Sequence, residues 1–160
     1  MAENAVTKRS EVPEEYTWNL GDIFESDDAW FREYEALKEM PVRIEAFRGK
    51  LGESAEELLA YFKLDDELDV RIGKLHGYAS CKSDQDTGDS FYQDMRGKAT
   101  STLVAISSAG AFAVPEIMAI PEDTLSLFFV AQPVLETYRR SLYRIRRRAA
   151  HILSPGEEKL

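Results

Sequence analysis

The feature that most limits the fold is a run of apolar residues at helical spacing. Leu58, Tyr61, Leu64, Leu68, Ile72, Leu75 and Ala79 follow one another in steps of three and four. A strand would scatter them over both faces of a sheet, whereas an α-helix gathers them on one. The stripe is narrow, which suits a long helix in an antiparallel pair. Ser54-Ala55-Glu56-Glu57 opens it with the spacing of a capping box, serine with glutamate three residues on. A second run, residues 91–114, places Phe91, Met95, Ala99, Thr102, Ile106, Ala109 and Ala113 on one stripe. Its second half carries no charge, so it predicts a central helix with most of its circumference covered. Ser101, Ala105, Ser107, Ser108, Gly110 and Ala111 are small enough for neighbouring helices to come close. The expected fold is all-α: a helical bundle built on a long antiparallel helix pair, with an N-terminal extended aromatic arm.

The remaining elements follow from local signals. Residues 12–24, VPEEYTWNLGDIF, carry Tyr16, Trp18, Leu20, Ile23 and Phe24 between Pro13 and Gly21. That pattern predicts an extended arm pinned to the helices by its aromatics. Ser26-Asp27-Asp28 gives a cap and two acids for the positive end of a first helix. Trp30, Tyr34, Leu37, Ile44 and Phe47 mark its inner side. Pro41 lacks a backbone donor and predicts a kink or break near Met40. Residues 83–89 read as the turn between the paired helices, with Thr87 or Asp89 as the cap of the second. Pro121 is placed to begin a short helix containing Leu125, Phe128 and Phe129. Pro133 is placed to begin another with Leu135, Tyr138, Leu142 and Ile145 inward.

Composition narrows the partners. The formal charge is −9, and residues 1–70 hold 19 acidic against 8 basic side chains, so nucleic acid and anionic membranes are disfavoured. A single cysteine, Cys81, rules out a disulfide within the chain. The first residues lack the apolar core of a signal peptide. The longest uncharged run, residues 100–115, is too short and too rich in small residues for a membrane span. A cytoplasmic location is the expectation.

Candidate chemistry is sparse. A helical zinc hydrolase needs two histidines one turn apart with a glutamate beside the first. His76 precedes Gly77 and His151 precedes Ile152, so the motif is absent. A calcium loop starting at Asp84 would need glycine sixth and glutamate twelfth, where Asp89 and Met95 stand. Arg139, Arg140, Arg144, Arg146, Arg147 and Arg148 form one basic cluster that RNA phosphates would suit. The acidic total favours instead a meeting with the acidic first half of the same molecule, or with an acidic surface of a missing domain. Cys81 has no partner for nucleophilic work, and the serines at 101, 107 and 108 lack the context of a nucleophile elbow. The catalytic and metal-ligand assignments are therefore none, and no substrate-binding residue is assigned.

Three stretches together carry a resemblance. They are Tyr16-Thr17-Trp18-Asn19-Leu20-Gly21-Asp22-Ile23-Phe24, with Asp27, Asp28 and Trp30 after it; Phe47-Arg48-Gly49-Lys50-Leu51; and Tyr78-Ala79-Ser80 through Ser83-Asp84-Gln85-Asp86-Thr87 to Tyr92-Gln93. His151-Ile152-Leu153-Ser154-Pro155-Gly156-Glu157-Glu158 also fits. With these the chain resembles the N-terminal region of oligoendopeptidase F, a family of zinc metallopeptidases that cleave short peptides. The resemblance implies a non-catalytic helical lobe that caps the substrate cleft and restricts substrate size. Its partners would be the C-terminal catalytic domain of the same polypeptide and, in the complete enzyme, short peptides. Zinc would be held by ligands outside this chain, with none bound by the chain itself. Residues 1–12 are expected to be a flexible tail, 13–150 the lobe, and 151–160 the start of the connection to the catalytic domain. Ser154 would open a helix continuing past Leu160. An isolated lobe would be inactive and prone to self-association. The competing reading is a stand-alone helical protein-interaction module.

Overall fold

The computed structural model describes residues 11–147. Among them there are seven α-helices, short 3₁₀ turns and no strand, as the spacing predicts. The helices are α1 (Asp27–Leu37), α2 (Met40–Glu45), α3 (Ala55–Gln85), α4 (Ser90–Ala109), α5 (Ala113–Ala119), α6 (Glu122–Ala131) and α7 (Arg139–Arg147). The chain divides into two compact units. Residues 11–39 and 69–105 belong to the first, and residues 40–68 and 106–147 to the second. The expected tail up to residue 10 and the connection from residue 151 onward lie outside the described residues.

In the first unit, Ser26 caps α1 by accepting from the Ala29 N–H at 3.1 Å. Asp27 and Asp28 occupy its first turn, where the helix end is positive. Trp30 and Leu37 are fully buried. Helix α1 stops two residues before α2, whose second residue is Pro41. There proline needs no donor, so the expected break occurs where the backbone can accept it. Ile72, Leu75 and Ala79 of α3 are buried in this unit.

Helix α3 runs on to Gln85, so the turn is shorter than residues 83–89. Asp86 accepts from the Gly88 N–H and Asp89 from the Phe91 N–H, each at 2.9 Å. Asp89 is thus the cap of α4. Arg96 of α4 reaches back to Asp84 of α3 at 2.9 Å, as expected of an antiparallel hairpin. Ser83 stays helical and extends the buried stripe by one step. Its Oγ is buried without a hydrogen-bond partner among the described residues.

In the second unit, Ser54 accepts from the Glu57 N–H at 3.1 Å, completing the expected cap of α3. Leu58, Tyr61, Leu64 and Leu68 are all buried. Pro121 precedes α6 by one residue instead of being its first. Leu125 and Phe128 turn inward. Pro133 begins a 3₁₀ turn through Tyr138 that leads into α7, with Leu135 and Leu142 fully buried.

Two expectations are corrected. Phe91, in the first turn of α4, is 47% exposed: its ring reaches Phe31 at 6.1 Å but is covered on part of its surface only. The predicted coverage of residues 91–114 is also incomplete. The helix gives way to a 3₁₀ turn at Gly110–Phe112, and Leu103, Val104, Ser107 and Ser108 remain exposed. Ser90–Ala119 is long and apolar enough by composition to cross a membrane. A third of its apolar window is buried, and the buried residues include the expected stripe of Met95, Ala99, Thr102, Ile106, Ala109 and Ala113.

The arm follows its prediction in part. Leu20 is buried, and the Phe24 ring meets Tyr78 edge-on at 5.6 Å. Tyr16 and Trp18, expected to pin it, are exposed: Tyr16 ends the first of two 3₁₀ turns, and Trp18 lies in the gap before the second.

Candidate functional site

The polar centre of the first unit is built around Asp27. Tyr78 on α3 donates to Oδ1 at 2.8 Å, and Tyr92 on α4 donates to Oδ2 at 3.1 Å. Both carboxylate oxygens are therefore engaged. Burial, followed by the Asp27 carboxylate, pushes the Tyr78 phenol well above its ordinary range. The Lys82 ammonium lies 5.5 Å from the Tyr78 ring centre and 5.2 Å from that of Tyr92. A cleft of about 590 Å³ opens beside this group, lined also by Trp18, Asn19 and Gln85. Chemically the arrangement is a fastener. Hydrogen bonds to a charged group are each worth roughly 1.5–3 kcal/mol, and these two join three helices at one carboxylate.

A second acceptor organises the loop after α2. Glu116 of α5 accepts from the Gly49 N–H at 2.6 Å and from the Leu51 N–H at 3.5 Å. Gly49 has a φ of 82°, a conformation side chains disfavour. The loop thus turns its donors toward one carboxylate while burying Leu51 completely. The Arg48 guanidinium covers the Phe112 ring at 4.7 Å.

The basic cluster divides by role. Arg146 donates to the carbonyls of Ile117 and Ile120 at the end of α5, and pairs with Glu122 at 2.8 Å. It closes one helix end and meets the acidic start of the next. Arg139 pairs with Glu136 at 2.6 Å and lies 4.0 Å from the Phe129 ring centre. Arg140, Arg144 and Arg147 are exposed, and Arg148 is outside the described residues. The acids that Arg139 and Arg146 meet, Glu136 and Glu122, are near them in the second half of the chain, whereas the charge balance pointed to the acidic first half. A cavity of about 430 Å³ beside Arg146 has Leu125, Leu142 and Phe129 in its walls.

Tyr138 donates to Asp66 at 2.6 Å and stacks on Phe62 at 4.7 Å. The Asp66 bond, with burial second, pushes its phenol up to about 12. A phenol ordinarily ionises near pH 10. Its neutral form is favoured in the fold, so the stabilisation is complete below about pH 10 and lost as pH rises toward about 12. An alkaline absorbance titration should show Tyr78 and Tyr138 ionising late, and Tyr138→Phe should remove one of these two late steps. Tyr138→Phe should also make the fold less sensitive to pH in that window.

Among the described residues, none of the catalytic constellations considered from the sequence assembles. Among the described residues no three His, Cys, Asp or Glu side chains gather so as to hold a metal ion. His76 Nδ1 lies 3.4 Å from Ser80 Oγ, one turn away on α3. His151 is outside the described residues. Cys81 is half-buried, and the serines at 101, 107 and 108 are exposed on α4.

Comparison with known proteins supplies what the side chains do not. Residues 116–160 match the family profile described as Oligopeptidase F. The chain is 41% identical over 157 residues to Oligopeptidase PepF of Bacillus subtilis, covering 98% of this chain and 23% of that protein. It is 35% identical to the plasmid-encoded Oligoendopeptidase F of Lactococcus lactis, over 95% of this chain and 26% of that one. The crystal structure of oligoendopeptidase-F from Enterococcus faecium superimposes with a TM-score of 0.70 at 30% identity. That match covers 81% of this chain and 26% of the other. Together these matches support an oligoendopeptidase F N-terminal region. A solved structure from Chlamydophila abortus shares the fold, with a TM-score of 0.82 over 97% of the chain at 21% identity. The chain spans about a quarter of the length of these relatives.

The motif residues of this region now have physical roles. Asp27, Tyr78 and Tyr92 come from two separate stretches that carried the resemblance, and they meet in one hydrogen-bonded group. The stretch from Phe47 to Leu51 is the loop held by Glu116. Reading the sequence missed Glu116 and the Tyr138–Asp66 pair. Glu116 lies 67 residues from the loop it organises, and no local pattern announces such a contact. The zinc that the family implies for the parent protein finds no ligand set among the described residues, and no hydrolytic step is assigned to them.

Proposed function

We propose that this chain is the N-terminal, non-catalytic lobe of a zinc-dependent oligoendopeptidase that hydrolyses short peptides in the cytoplasm. The lobe caps the substrate cleft and restricts substrate size. The observation that carries this reading is 41% identity, across 98% of the chain, to a protein named an oligopeptidase of which the chain spans 23%. A helical body without a reacting constellation is what a wall or lid needs. Closing such a wall over bound peptide expels water and strengthens the electrostatics around the reacting groups. A folded protein cannot thread the same opening.

The test uses the parent enzyme on a series of peptides of increasing length. Cleavage should fall steeply with length and vanish for folded proteins, and chelation should abolish it until zinc is restored. Equal rates on short peptides and folded proteins would sink the size-restricting role. Activity that survives complete metal removal would sink the zinc reading.

A further inference from the structure

From Leu127 onward, helix α6 is apolar on both sides. Leu125 and Phe128 face into the second unit, while Leu127 and Val130 are 67% and 79% exposed. Ala131 is exposed as well, and Val134, in the following 3₁₀ turn, is 52% exposed. Leu127, Val130 and Ala131 recur at steps of three and one, the spacing of a single helical face, and Val134 follows in the turn beyond Gln132. No charged residue occurs between Leu127 and Val134. A surface helix normally carries polar groups on its solvent side, and one that is apolar all round belongs inside a larger body. Single exposed hydrophobes need no explanation, but a contiguous row does.

We infer that the row Leu127, Val130, Ala131 and Val134 is the seat of a later part of the parent polypeptide. The inference rests on the reading of this chain as one region of a longer oligoendopeptidase. The first argument is length: the relatives of which this chain spans 23% and 26% carry some three quarters of their residues elsewhere. The second is area. The row offers a few hundred Å², well below the roughly 800 Å² per partner that a stable, specific dimer covers. A tethered segment needs less, because its effective concentration is already high. The third is position: the row lies within residues 116–160, the part that matches the family profile. The ten residues of α6 are about half of the roughly 20 needed to cross a bilayer. The border of the row is polar, with Glu136 and Arg139 paired beside the Phe129 ring, which is the anatomy of an interface core and its rim. The surface that seats there is accordingly uncharged and aliphatic.

The test places a cysteine in the row, Val130→Cys, in the parent enzyme and in this chain. Alkylation by iodoacetamide is followed at that position by peptide mass. In dilute solution the parent should react at least tenfold more slowly than this chain. Leu127→Cys, one turn away on the same face, repeats the measurement should the first variant fold poorly. Equal rates would overturn the proposal. Slowing that appears in this chain only as its concentration rises, with no further protection in the parent, would assign the row to a second copy and overturn it equally. Peptide cleavage by the same parent variants is measured alongside. A protected row in a parent without peptidase activity would leave the seat standing and sink the enzymatic reading, while a reactive row in an active parent would do the reverse.

Discussion

Replacing Trp30 with alanine should destabilise the chain by about 3–5 kcal/mol, the range for deleting a large buried aromatic ring. Trp30 has no exposed surface. Its indole stacks on Tyr34 at 5.5 Å with 9° between the rings, and Phe31 meets it edge-on at 5.0 Å. The Nε1–H donates to the Leu75 carbonyl at 2.7 Å, tying α1 to α3. Collapse around the cavity is opposed from one side, because the Ser26 cap and the two phenols on Asp27 hold the start of α1. Whole domains are stable by only about 5–15 kcal/mol, so the variant should unfold at much lower urea. Trp30→Phe separates the two contributions. It keeps most of the ring volume, loses the indole bond, and should cost roughly 1–2 kcal/mol. Urea unfolding followed by circular dichroism measures both. A cost below about 1 kcal/mol for the alanine variant would show that α1 is held by something other than this side chain.

The second large effect is expected at Tyr61 in the second unit. Its ring is buried and meets Phe47, Phe62 and Phe112 at centroid distances of 5.8, 6.0 and 6.0 Å, all at steep interplanar angles. Edge-to-face pairs add about 0.5–1.5 kcal/mol each beyond the area they bury. Tyr61→Ala removes the common member of three such pairs, and should cost about 3–5 kcal/mol. The chain leaves α4 just above this ring: a Cβ added at Gly110 would lie 3.6 Å from the Tyr61 hydroxyl. Removing the ring thus empties the space beneath the 3₁₀ turn that connects α4 to α5. Tyr61→Phe keeps the ring pairs and should cost no more than about 1 kcal/mol. Similar losses in both variants would place the stabilisation in the hydroxyl instead of the aromatic cluster.

Much of the fold was legible because its signals are local. Ser26 and Ser54 cap the helices they were expected to cap, since a cap needs only a side-chain oxygen and a backbone N–H three residues on. Pro41 marks the break, because a missing donor and a fixed φ act within one turn. The stripe from Leu58 to Ala79 is buried at every position, because helical periodicity alone gathers those residues on one side. The outcomes at Phe91, Tyr16 and Trp18 differ for one shared reason. Apolarity says that a side chain gains by burial, but whether a neighbour is present to bury it is not encoded nearby.

The candidate site divides in the same way. The missing zinc motif was readable, because two histidines one turn apart are a local pattern. The groups that fasten helices within each unit were not. Asp27 is 51 and 65 residues from its tyrosines, and Arg146 closes a helix that ends more than two dozen residues before it. The sequence by itself determined the helical class, the caps of α1 and α3, the break at Pro41 and the family resemblance, since each depends on spacing within a few turns or on motif order along the chain. Only the tertiary structure decided which carboxylates gather donors, which arginines are consumed in holding helix ends, and which apolar rows are left open. Those outcomes depend on side chains distant in sequence arriving at the same place, and close packing permits few such arrangements.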